Sequence, residues 1–499
     1  MSILPNKPIR RNITDLKNNY PHDFGRFINA LNNLTKSDDW PRICGIHGNT
    51  FDPNDTDILC PTDPKVVEQI GNTPNEPFYC AHSETRFIAW HTPYIYQFEL
   101  LLNKYNTSKD KSYITLPYLF ITTEPTDLSF MNTKQIEIML DGVMTTIENP
   151  LAPENNYYFD KKGCKKIVTR NGFLVPTTKS EITLVKSTNN ELYNVLYALR
   201  YDTFSSNTLF NKVLKKLIDF NPIEIPHNNI HDIIGGFGGN MSEISISAYD
   251  PIFWLHHCNI DRFFYNWLAK ITNNFIHTIT FPFISDNTLN NTLSPFQNTN
   301  PYTDNPNAYK FGWSNESLNF LKIRNMIQLE KYPYTYEHIE MKPYHFSKAS
   351  IEIFGMPIPC ETTQISVFLH PKNTIITDSN KNEFLAGSAC WFGMNRYQGN
   401  CKRCNVSRTN FKISIQQFLD DNNISIDDIN NYKWFIEGYG KLEQQSDNTY
   451  KTYTQEELIR DGNIELFTYS ANISKRKSNI IIQFLKGVAN ILQIRKKKN

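Results

Sequence analysis

Histidines grouped in two windows are the residues of this chain best suited to metal chemistry. Seven of the twelve histidines fall in these windows, which randomly scattered residues would not do. The first window holds three and the second holds four: His47, His82 and His91, then His227, His231, His256 and His257. Only one of the adjacent residues His256 and His257 can face a given site, so each window offers three neutral imidazoles. With no cysteine pair or carboxylate cluster among them, these imidazoles indicate copper, zinc, nickel or iron. Structural zinc would more often recruit cysteines.

The spacing in the second window predicts imidazoles on two helices. His227 and His231 are four residues apart, so on a helix their rings share one face and can share a metal ion. His256 and His257 are adjacent and point about 100° apart on a helix, so only one can face a given site. Asp261 lies one turn after His257 and is expected to accept a hydrogen bond from its ring. The alternative is a buried histidine that Asp261 satisfies without any metal.

The first window needs a bend in the chain before its rings can meet. His82 and His91 are nine residues apart, which is half a turn out of phase on one continuous helix. They converge only if His82 lies in a loop or bent segment before the helix. His47 lies in a Gly-Ile-His-Gly segment, residues 45–48, whose glycines allow a close approach of the backbone.

The elements that position these histidines follow from the apolar periodicity. Helical spacing predicts helices within residues 9–34, 87–105, 209–220 and 251–270. Segments 48–78 and 284–310 are rich in Asn, Pro and other loop-forming residues, which predicts long loops. Two of these helices contain histidines of the two windows: His91 in the first window, and His256 and His257 in the second.

Beyond about residue 340 the periodicity changes. Apolar residues alternate with period two in 350–354 and 364–369, which predicts strands. We therefore expect a mainly α core, residues 1–340, followed by a smaller, mostly β domain, residues 341–474. Residues 475–499 form a basic tail that could lie on a membrane surface as an amphipathic helix. A tail packed on its own domain is the favoured alternative.

Composition narrows the classes of function. A formal net charge of +1 gives no electrostatic case for nucleic acid as a partner. No stretch reaches the roughly eighteen apolar residues of a membrane-spanning helix. The N-terminus has no apolar run of signal-peptide length, so a cytoplasmic location is expected by default. Nine cysteines over this length do not predict a disulfide framework. The sequence does not indicate the oligomeric state.

With these residues in view, the chain resembles the tyrosinases, catechol oxidases and molluscan hemocyanins, the type-3 copper proteins. Residues 227–231 and 247–262 resemble the copper B site of that family, and residues 45–48 and 79–94 resemble its copper A site. The similarity is greatest to the fungal branch. The Tyr-Thr-Tyr sequence at 334–336 resembles the tyrosine motif that ends the family's core. Two segments resemble the fungal C-terminal β domain: Phe-Leu-Ala-Gly at 384–387 and Cys-Lys-Arg-Cys at 401–404.

The resemblance implies a helical bundle that brings two copper ions together, with dioxygen as co-substrate. It implies the copper A ligands His47, His82 and His91, and the copper B ligands His227, His231 and His257. His256 would be the member of its pair that does not bind metal. The resemblance also implies a thioether link between Cys80 and His82. One residue departs from the pattern: Thr92 stands where the family commonly has Arg, which puts in doubt a charged interaction but not metal binding.

The resemblance also implies roles for residues around the metals. Phe87 and Phe253 each lie four residues before a ligand and would wall the site. A monophenol must lose its proton before its oxygen binds copper, so a general base is needed, and a water molecule held by side chains would serve. Asn228 and Glu224 match the residues that hold this water in active tyrosinases. Asp219 is the alternative carboxylate, and an exposed loop carboxylate is the alternative interpretation of Glu224.

The function that follows is that of a tyrosinase-type enzyme, which hydroxylates monophenols at the ortho position and oxidises catechols to o-quinones. The partner would be a small phenolic or catecholic substrate. Catechol oxidation alone is one alternative, and a hemocyanin-like oxygen-binding protein is another. A single copper unit without repeats argues against the carrier, and an inactive scaffold is the remaining alternative. A latent enzyme, whose β domain shields the site until proteolysis near residue 340, is a further hypothesis.

Overall fold

A computed structural model of the chain describes both histidine windows and most of the helices and strands around them. The described residues are 7–48, 80–82, 85–124, 126–159, 164–198, 201–206, 222–236, 238–274, 293, 326–329, 332–344, 347, 349–357, 362–391, 408–441, 450–453 and 463–468. Several predictions fall outside them: the loop at 48–78 apart from residue 48, the helix at 209–220 with Asp219, most of the loop at 284–310, the cysteine pair at 401–404 and the basic tail.

The helices and strands of the described part follow in chain order. The α-helices are α1 Ile13–Asn19, α2 Pro21–Thr35, α3 Asp39–His47, α4 Phe87–Lys104, α5 Lys179–Val195, α6 Tyr201–Ser205, α7 Glu224–Gly235, α8 Ile244–Ser247, α9 Ile252–Asn274 and α10 Gln416–Asp421. The strands are β1 Ile9–Arg10, β2 Gln135–Leu140, β3 Val143–Glu148, β4 Tyr157–Phe159, β5 Lys165–Ile167, β6 Thr335–Tyr336, β7 Ala349–Pro357, β8 Thr363–Pro371, β9 Leu385–Trp391, β10 Arg408–Ser414, β11 Tyr432–Lys441, β12 Tyr450–Tyr453 and β13 Asn463–Thr468.

The predicted N-terminal helix is two helices, α1 and α2. The break falls at Tyr20 because Pro21 has no N–H to continue α1 but fits the first turn of α2. Asn12 begins α1, and its side-chain oxygen accepts a hydrogen bond from the Thr14 backbone N–H at 2.9 Å. The residues whose spacing predicted a core-facing stripe are buried: Phe24, Phe27, Ile28 and Leu31.

Helices α4 and α9 pack against each other in the core and carry three of the seven clustered histidines. Both begin within one residue of their predicted starts, and α9 extends four residues beyond its predicted end. Helix α4 contains Pro93, whose missing N–H leaves one carbonyl of the preceding turn without its helical partner. The Thr92 hydroxyl oxygen, beside it, lies 3.1 Å from the Ile88 carbonyl. Almost every side chain of α4 is buried, so packing stabilises the helix despite the proline.

A buried charge cluster fastens the N-terminal strand to the core. Strand β1 pairs in parallel with β6, which places Arg10 opposite Tyr336. The Arg10 side chain is fully buried. Its Nε donates to Glu99 Oε2 at 2.7 Å, and its NH1 donates to Asp261 Oδ2 at 3.2 Å. The guanidinium also lies over the Tyr334 ring, 3.4 Å from the centroid, so cation–π attraction adds to the ion pairs.

The C-terminal strands form two sheets with a hydrophobic core of their own. One sheet has the strand order β12-β11-β8-β9, and the other has the order β10-β7-β13. The two predicted strands are confirmed, since they lie within β7 and β8. The buried apolar side chains of residues 349–436 form one cluster, and one residue from the helical core, Ile225 of α7, joins it. The apolar cluster of the helical core extends to Met341.

The predicted fold class, a mainly α core followed by a smaller, mostly β region, is confirmed. The segment between α4 and α5 also contains two small hairpins, β2–β3 and β4–β5, which the sequence pattern did not predict. Cys164 is disulfide-bonded, whereas Cys44, Cys258 and Cys390 are buried thiols. Of the helices that the structure describes, none combines the length and apolar character needed to cross a bilayer.

Candidate metal centre

The first histidine window forms a compact group. His47 is the last residue of α3, His91 lies in α4, and His82 lies in the segment before α4, so the predicted bend is present. One ligand atom from each of these rings and the Cys80 sulfur all lie within 4.8 Å of one another. All four residues are buried. Cys80 Sγ lies 3.2 Å from His47 Nε2 and 3.4 Å from His91 Nε2.

The second window forms a matching group from α7 and α9. His257 Nε2 lies 3.2 Å from His227 Nε2 and 3.2 Å from His231 Nε2. Three nitrogens bound to one ion at about 2.0–2.1 Å in a tetrahedral arrangement lie roughly 3.3 Å apart. Both distances from His257 Nε2 therefore match the spacing around one metal ion. His256 belongs to the same group of four within 4.8 Å, and its ring stacks on that of His227 with centroids 5.0 Å apart.

The two groups adjoin and form one site. The rings of His91 and His257 stack with centroids 4.5 Å apart, and those of His82 and His227 lie 5.5 Å apart. Helices α4 and α9, which carry His91 and His257, bring together segments more than 150 residues apart in the chain. All six imidazoles that sequence reasoning selected meet in this one place.

Hydrogen bonds fix the orientation of four of these rings through Nδ1. In three cases the partner is a backbone carbonyl: His47 with Ile244 at 3.0 Å, His91 with Phe87 at 2.7 Å, and His231 with Met241 at 2.8 Å. His227 Nδ1 lies 2.8 Å from the Asn228 Oδ1. Since a backbone carbonyl has no hydrogen to donate, Nδ1 carries the ring proton in the first three rings, and their Nε2 keeps a lone pair for a metal. The Asn228 amide can present either its oxygen or its nitrogen to His227.

Burial keeps the imidazoles neutral. Desolvation lowers the pKa well below the ordinary value at four positions, and neighbouring imidazoles lower it further: His91, His227, His231 and His257. These rings can therefore bind a metal ion without first releasing a proton. With six nitrogen donors, no carboxylate at the Nε2 atoms and an apolar surround, the residues present fit two borderline ions such as copper.

The two phenylalanines expected beside the ligands, Phe87 and Phe253, lie against the histidine rings. The Phe253 ring lies 4.1 Å from His257 and 4.6 Å from His47, measured between centroids. The Phe87 ring lies 4.8 Å from His227. Both phenylalanines are fully buried, so they exclude water from the face of the site that they cover.

The role predicted for Asp261 beside His257 is wrong. Its Oδ1 accepts from the Thr92 hydroxyl at 2.7 Å, and its Oδ2 accepts from the hydroxyls of Tyr334 at 2.8 Å and Tyr336 at 2.7 Å. His257 Nδ1 has no hydrogen-bond partner within the described ranges. The carboxylate turns instead toward the tyrosine hydroxyls and the Arg10 charge.

Arg10 is the functional residue of the core that sequence reasoning missed. Arg10 lies in the N-terminal strand and forms a buried ion pair with Asp261. The two residues are far apart in the chain, so no short-range pattern could have revealed this pair.

The two residues expected to hold a catalytic water lie beside the histidines. Glu224 begins α7 and is 4% exposed, so it is not an exposed loop carboxylate. Its Oε1 lies 3.3 Å from His82 Nδ1, and its Oε2 accepts a short hydrogen bond from the Ser206 hydroxyl. Asn228 contacts His227 through Oδ1, and its Nδ2 donates to the Cys390 carbonyl of β9 at 3.1 Å.

Comparisons with known proteins agree with this geometry. The family profile described as the common central domain of tyrosinase matches residues 37–270. A tyrosinase of Neurospora crassa is 28% identical over 322 residues, which cover 54% of this chain and 44% of that enzyme. The chain thus spans less than half the length of this relative.

Solved structures show the same fold at low sequence identity. Recombinant mushroom tyrosinase has a TM-score of 0.60 and 17% identity, covering 90% of this chain and 97% of that one. Deoxygenated hemocyanin from Rapana thomasiana has a TM-score of 0.58 and 17% identity, covering 93% and 99%. The likeness to these structures therefore extends over both the helical and the β parts of the chain.

Proposed function

Because residues 37–270 match the common central domain of tyrosinase, we propose that the chain is a dicopper oxidase of small phenols and catechols. The observation that carries the proposal is the meeting of six buried imidazoles around two adjoining points. The proposed ligands are His47, His82 and His91 for copper A, and His227, His231 and His257 for copper B. When bound, the two copper ions would supply the activation of dioxygen.

Metal content and an absorption spectrum test this proposal. We expect about two copper ions per chain and an intense near-ultraviolet band when the reduced, copper-loaded protein meets dioxygen. Turnover of a catechol distinguishes an enzyme from an oxygen carrier, because a carrier binds dioxygen reversibly without consuming the phenol. Purified protein that takes up no copper under conditions where the fold is intact would rule the proposal out.

A thioether between Cys80 and His82 is part of the same proposal. It is supported by the Cys80 sulfur, which lies among the ligand nitrogens of the first group. Bond formation removes one hydrogen from each residue, a two-electron oxidation for which dioxygen would be the oxidant and would leave as hydrogen peroxide. Copper held by His47, His82 and His91 would supply the activation of dioxygen. Mass spectrometry of the active protein checks this link: a Cys80 that is still fully alkylatable after denaturation contradicts it.

The protein's own residues would then handle the phenol proton. Glu224 and Asn228 lie on either side of His227 in sequence and are both buried against the site. Together they can hold a water molecule as hydrogen-bond acceptor and donor, and such a positioned water can take the proton of a monophenol as general base. A catechol ionises more readily, so its oxidation depends less on this base.

Substitution at these two positions is expected to separate the two activities. In Glu224→Gln and Asn228→Ala, the ratio of monophenol to catechol turnover should fall about a hundredfold, the lower end of the usual contribution of general base catalysis. The measurement is the initial rate with each substrate at equal copper content. Glu154→Gln, an exposed carboxylate of the loop before β4, is the matched control. An unchanged ratio when both site residues are replaced would refute the base assignment and favour a different proton acceptor.

We also propose the division into a dicopper core, residues 1–340, a β domain that shields the site, residues 341–474, and a basic tail, residues 475–499. Strand β9 packs on α7, the helix of His227 and His231, and Ile225 of that helix is buried among apolar residues of the β domain. Between Tyr336 and Ala349 the described residues have no regular secondary structure, and several are exposed, including Glu340.

Cleavage in this connecting segment is expected to activate the enzyme. If a tenth of the chains or fewer have an open site before cleavage, activity should rise about tenfold or more once the β domain dissociates. The measurement is catechol turnover before and after cleavage at Glu340 by a glutamate-specific protease, with the cleavage site verified by mass. Intact protein incubated with inactivated protease is the control. Equal rates before and after cleavage would remove the shielding hypothesis.

A further inference from the structure

The side-chain amides of Asn228 and Asn229, consecutive residues of α7, form hydrogen bonds with the backbone of Cys390 in β9. The Cys390 N–H donates to Asn229 Oδ1 at 3.0 Å, and the Cys390 carbonyl accepts from Asn228 Nδ2 at 3.1 Å. In the described sheet β9 is an edge strand, with β8 on its other side, and edge strands present backbone groups that need partners. All three residues are buried, so each of these backbone groups would be left unsatisfied if the β domain were docked without the amides.

One of these amides also contacts a proposed copper ligand. Asn228 Oδ1 lies 2.8 Å from His227 Nδ1, while the same side chain donates to Cys390. A carboxamide has an acceptor at one end and donors at the other, so the two contacts depend on one orientation of the side chain. Asn229 has no such link, since its oxygen faces the Cys390 N–H alone in the hydrogen bonds of the described part.

We propose that Asn228 couples copper binding at His227 to docking of the β domain. A metal ion on Nε2 of His227 requires the ring proton to be on Nδ1. Nδ1 then donates to Asn228 Oδ1, which holds Nδ2 toward the Cys390 carbonyl. Without metal, the neutral ring can carry its proton on Nε2 instead, and Nδ1 becomes an acceptor that faces the amide oxygen unfavourably. The amide then turns so that its Nδ2 donates to His227 Nδ1. Its oxygen now faces the Cys390 carbonyl, and the hydrogen bond to β9 is lost.

The coupling is reciprocal because it is a difference in binding free energy. Copper at His227 favours the docked β domain, and the docked domain must favour copper at His227 by the same factor. The energy that links the two events is that of about one buried hydrogen bond. Copper should therefore change the docking equilibrium roughly threefold to tenfold. This inference rests on the proposed role of His227 as a metal ligand.

Limited proteolysis of the segment 337–344 follows docking, because a protease needs this exposed segment to open locally and a docked β domain restrains its C-terminal end. We expect copper loading to slow cleavage about threefold to tenfold in the natural protein. In Asn229→Ala the hydrogen bond to the Cys390 N–H is lost, so cleavage should be faster with and without copper. The effect of copper on the rate should persist. In Asn228→Ala cleavage should also be faster, but copper should no longer change its rate. Asn229→Ala is thus the matched control for the loss of a hydrogen bond to Cys390.

A second variant separates loss of coupling from loss of metal. Asn228→Asp keeps an oxygen toward His227 but has no donor for Cys390, so it should retain two copper ions and lose the copper effect on cleavage. Copper is quantified in every sample. If copper protects the Asn228 variants as strongly as Asn229→Ala, the coupling is refuted while the dicopper site stands. If the natural protein binds no copper, the ligand assignment and the coupling both fall.

Discussion

His257→Ala is expected to leave one copper ion per chain and almost no oxidase activity. The Nε2 of His257 lies 3.2 Å from its counterparts on His227 and His231, so its removal leaves only two imidazoles for copper B. Loss of one ion removes several kcal/mol of metal stabilisation from the reaction, which corresponds to about a thousandfold or more in turnover. Copper content by elemental analysis and catechol turnover, measured on the same sample, check this.

The neighbouring histidine is the control for this substitution. His256 is equally buried, adjacent in sequence and stacked on His227, and neither of its ring nitrogens has a hydrogen-bond partner among the described residues. His256→Leu should therefore keep both copper ions, although repacking will lower stability somewhat. If His257→Ala retains two copper ions and full catechol turnover, the choice of ligand is wrong. Loss of copper B in His256→Leu alone would assign the ligand to His256.

Arg10→Met is expected to destabilise the core by about 3–5 kcal/mol, the usual cost of removing one partner from a buried ion pair. The substitution keeps much of the apolar stem but leaves the carboxylates of Glu99 and Asp261 without a cation in a buried place. The cation–π contact with Tyr334 is lost at the same time. The shift in the urea midpoint, with fluorescence as the probe, gives the change in the free energy of unfolding.

The adjacent residue offers a matched control. Arg11 pairs with Glu337 at 3.4 Å, but both side chains are partly exposed. An exposed ion pair contributes about 0–1 kcal/mol, so Arg11→Met should move the midpoint little. Equal shifts for the two substitutions would show that the buried cluster does not hold the N-terminal strand to the core in the way the contacts indicate.

Much of the site was predictable because short spacings decide which rings share a helix face. The four-residue interval of His227 and His231, and the out-of-phase interval that sets His82 before α4, both follow from helical geometry alone. The strands β7 and β8 were predictable from alternation for the same reason. The break at Pro21 also has a local cause, although the periodicity on either side of it obscured the boundary.

The parts that escaped prediction depend on residues distant in the chain. Arg10 meets Glu99 and Asp261 across 89 and 251 residues, and no periodic pattern marks such a partner. For Asp261, helical geometry correctly placed it one turn from His257, but the attraction of a cation and two tyrosine hydroxyls decided its direction. The contact of β9 with Asn228 and Asn229 is equally invisible in the sequence, because the strand contributes only backbone atoms that every residue type has.

Backbone carbonyl oxygens hold three of the proposed ligand rings in their orientation. The orientation of these rings therefore does not depend on which side chains the three carbonyl residues carry. The carbonyls of Phe87, Met241 and Ile244 persist whatever side chain is attached, provided that the local backbone keeps its course. Positions 241 and 244 can therefore accept apolar residues of similar volume without releasing His231 or His47. A designer wishing to repack the surroundings of His231 and His47 therefore has two adjustable positions whose mutation leaves the orientation of these rings intact.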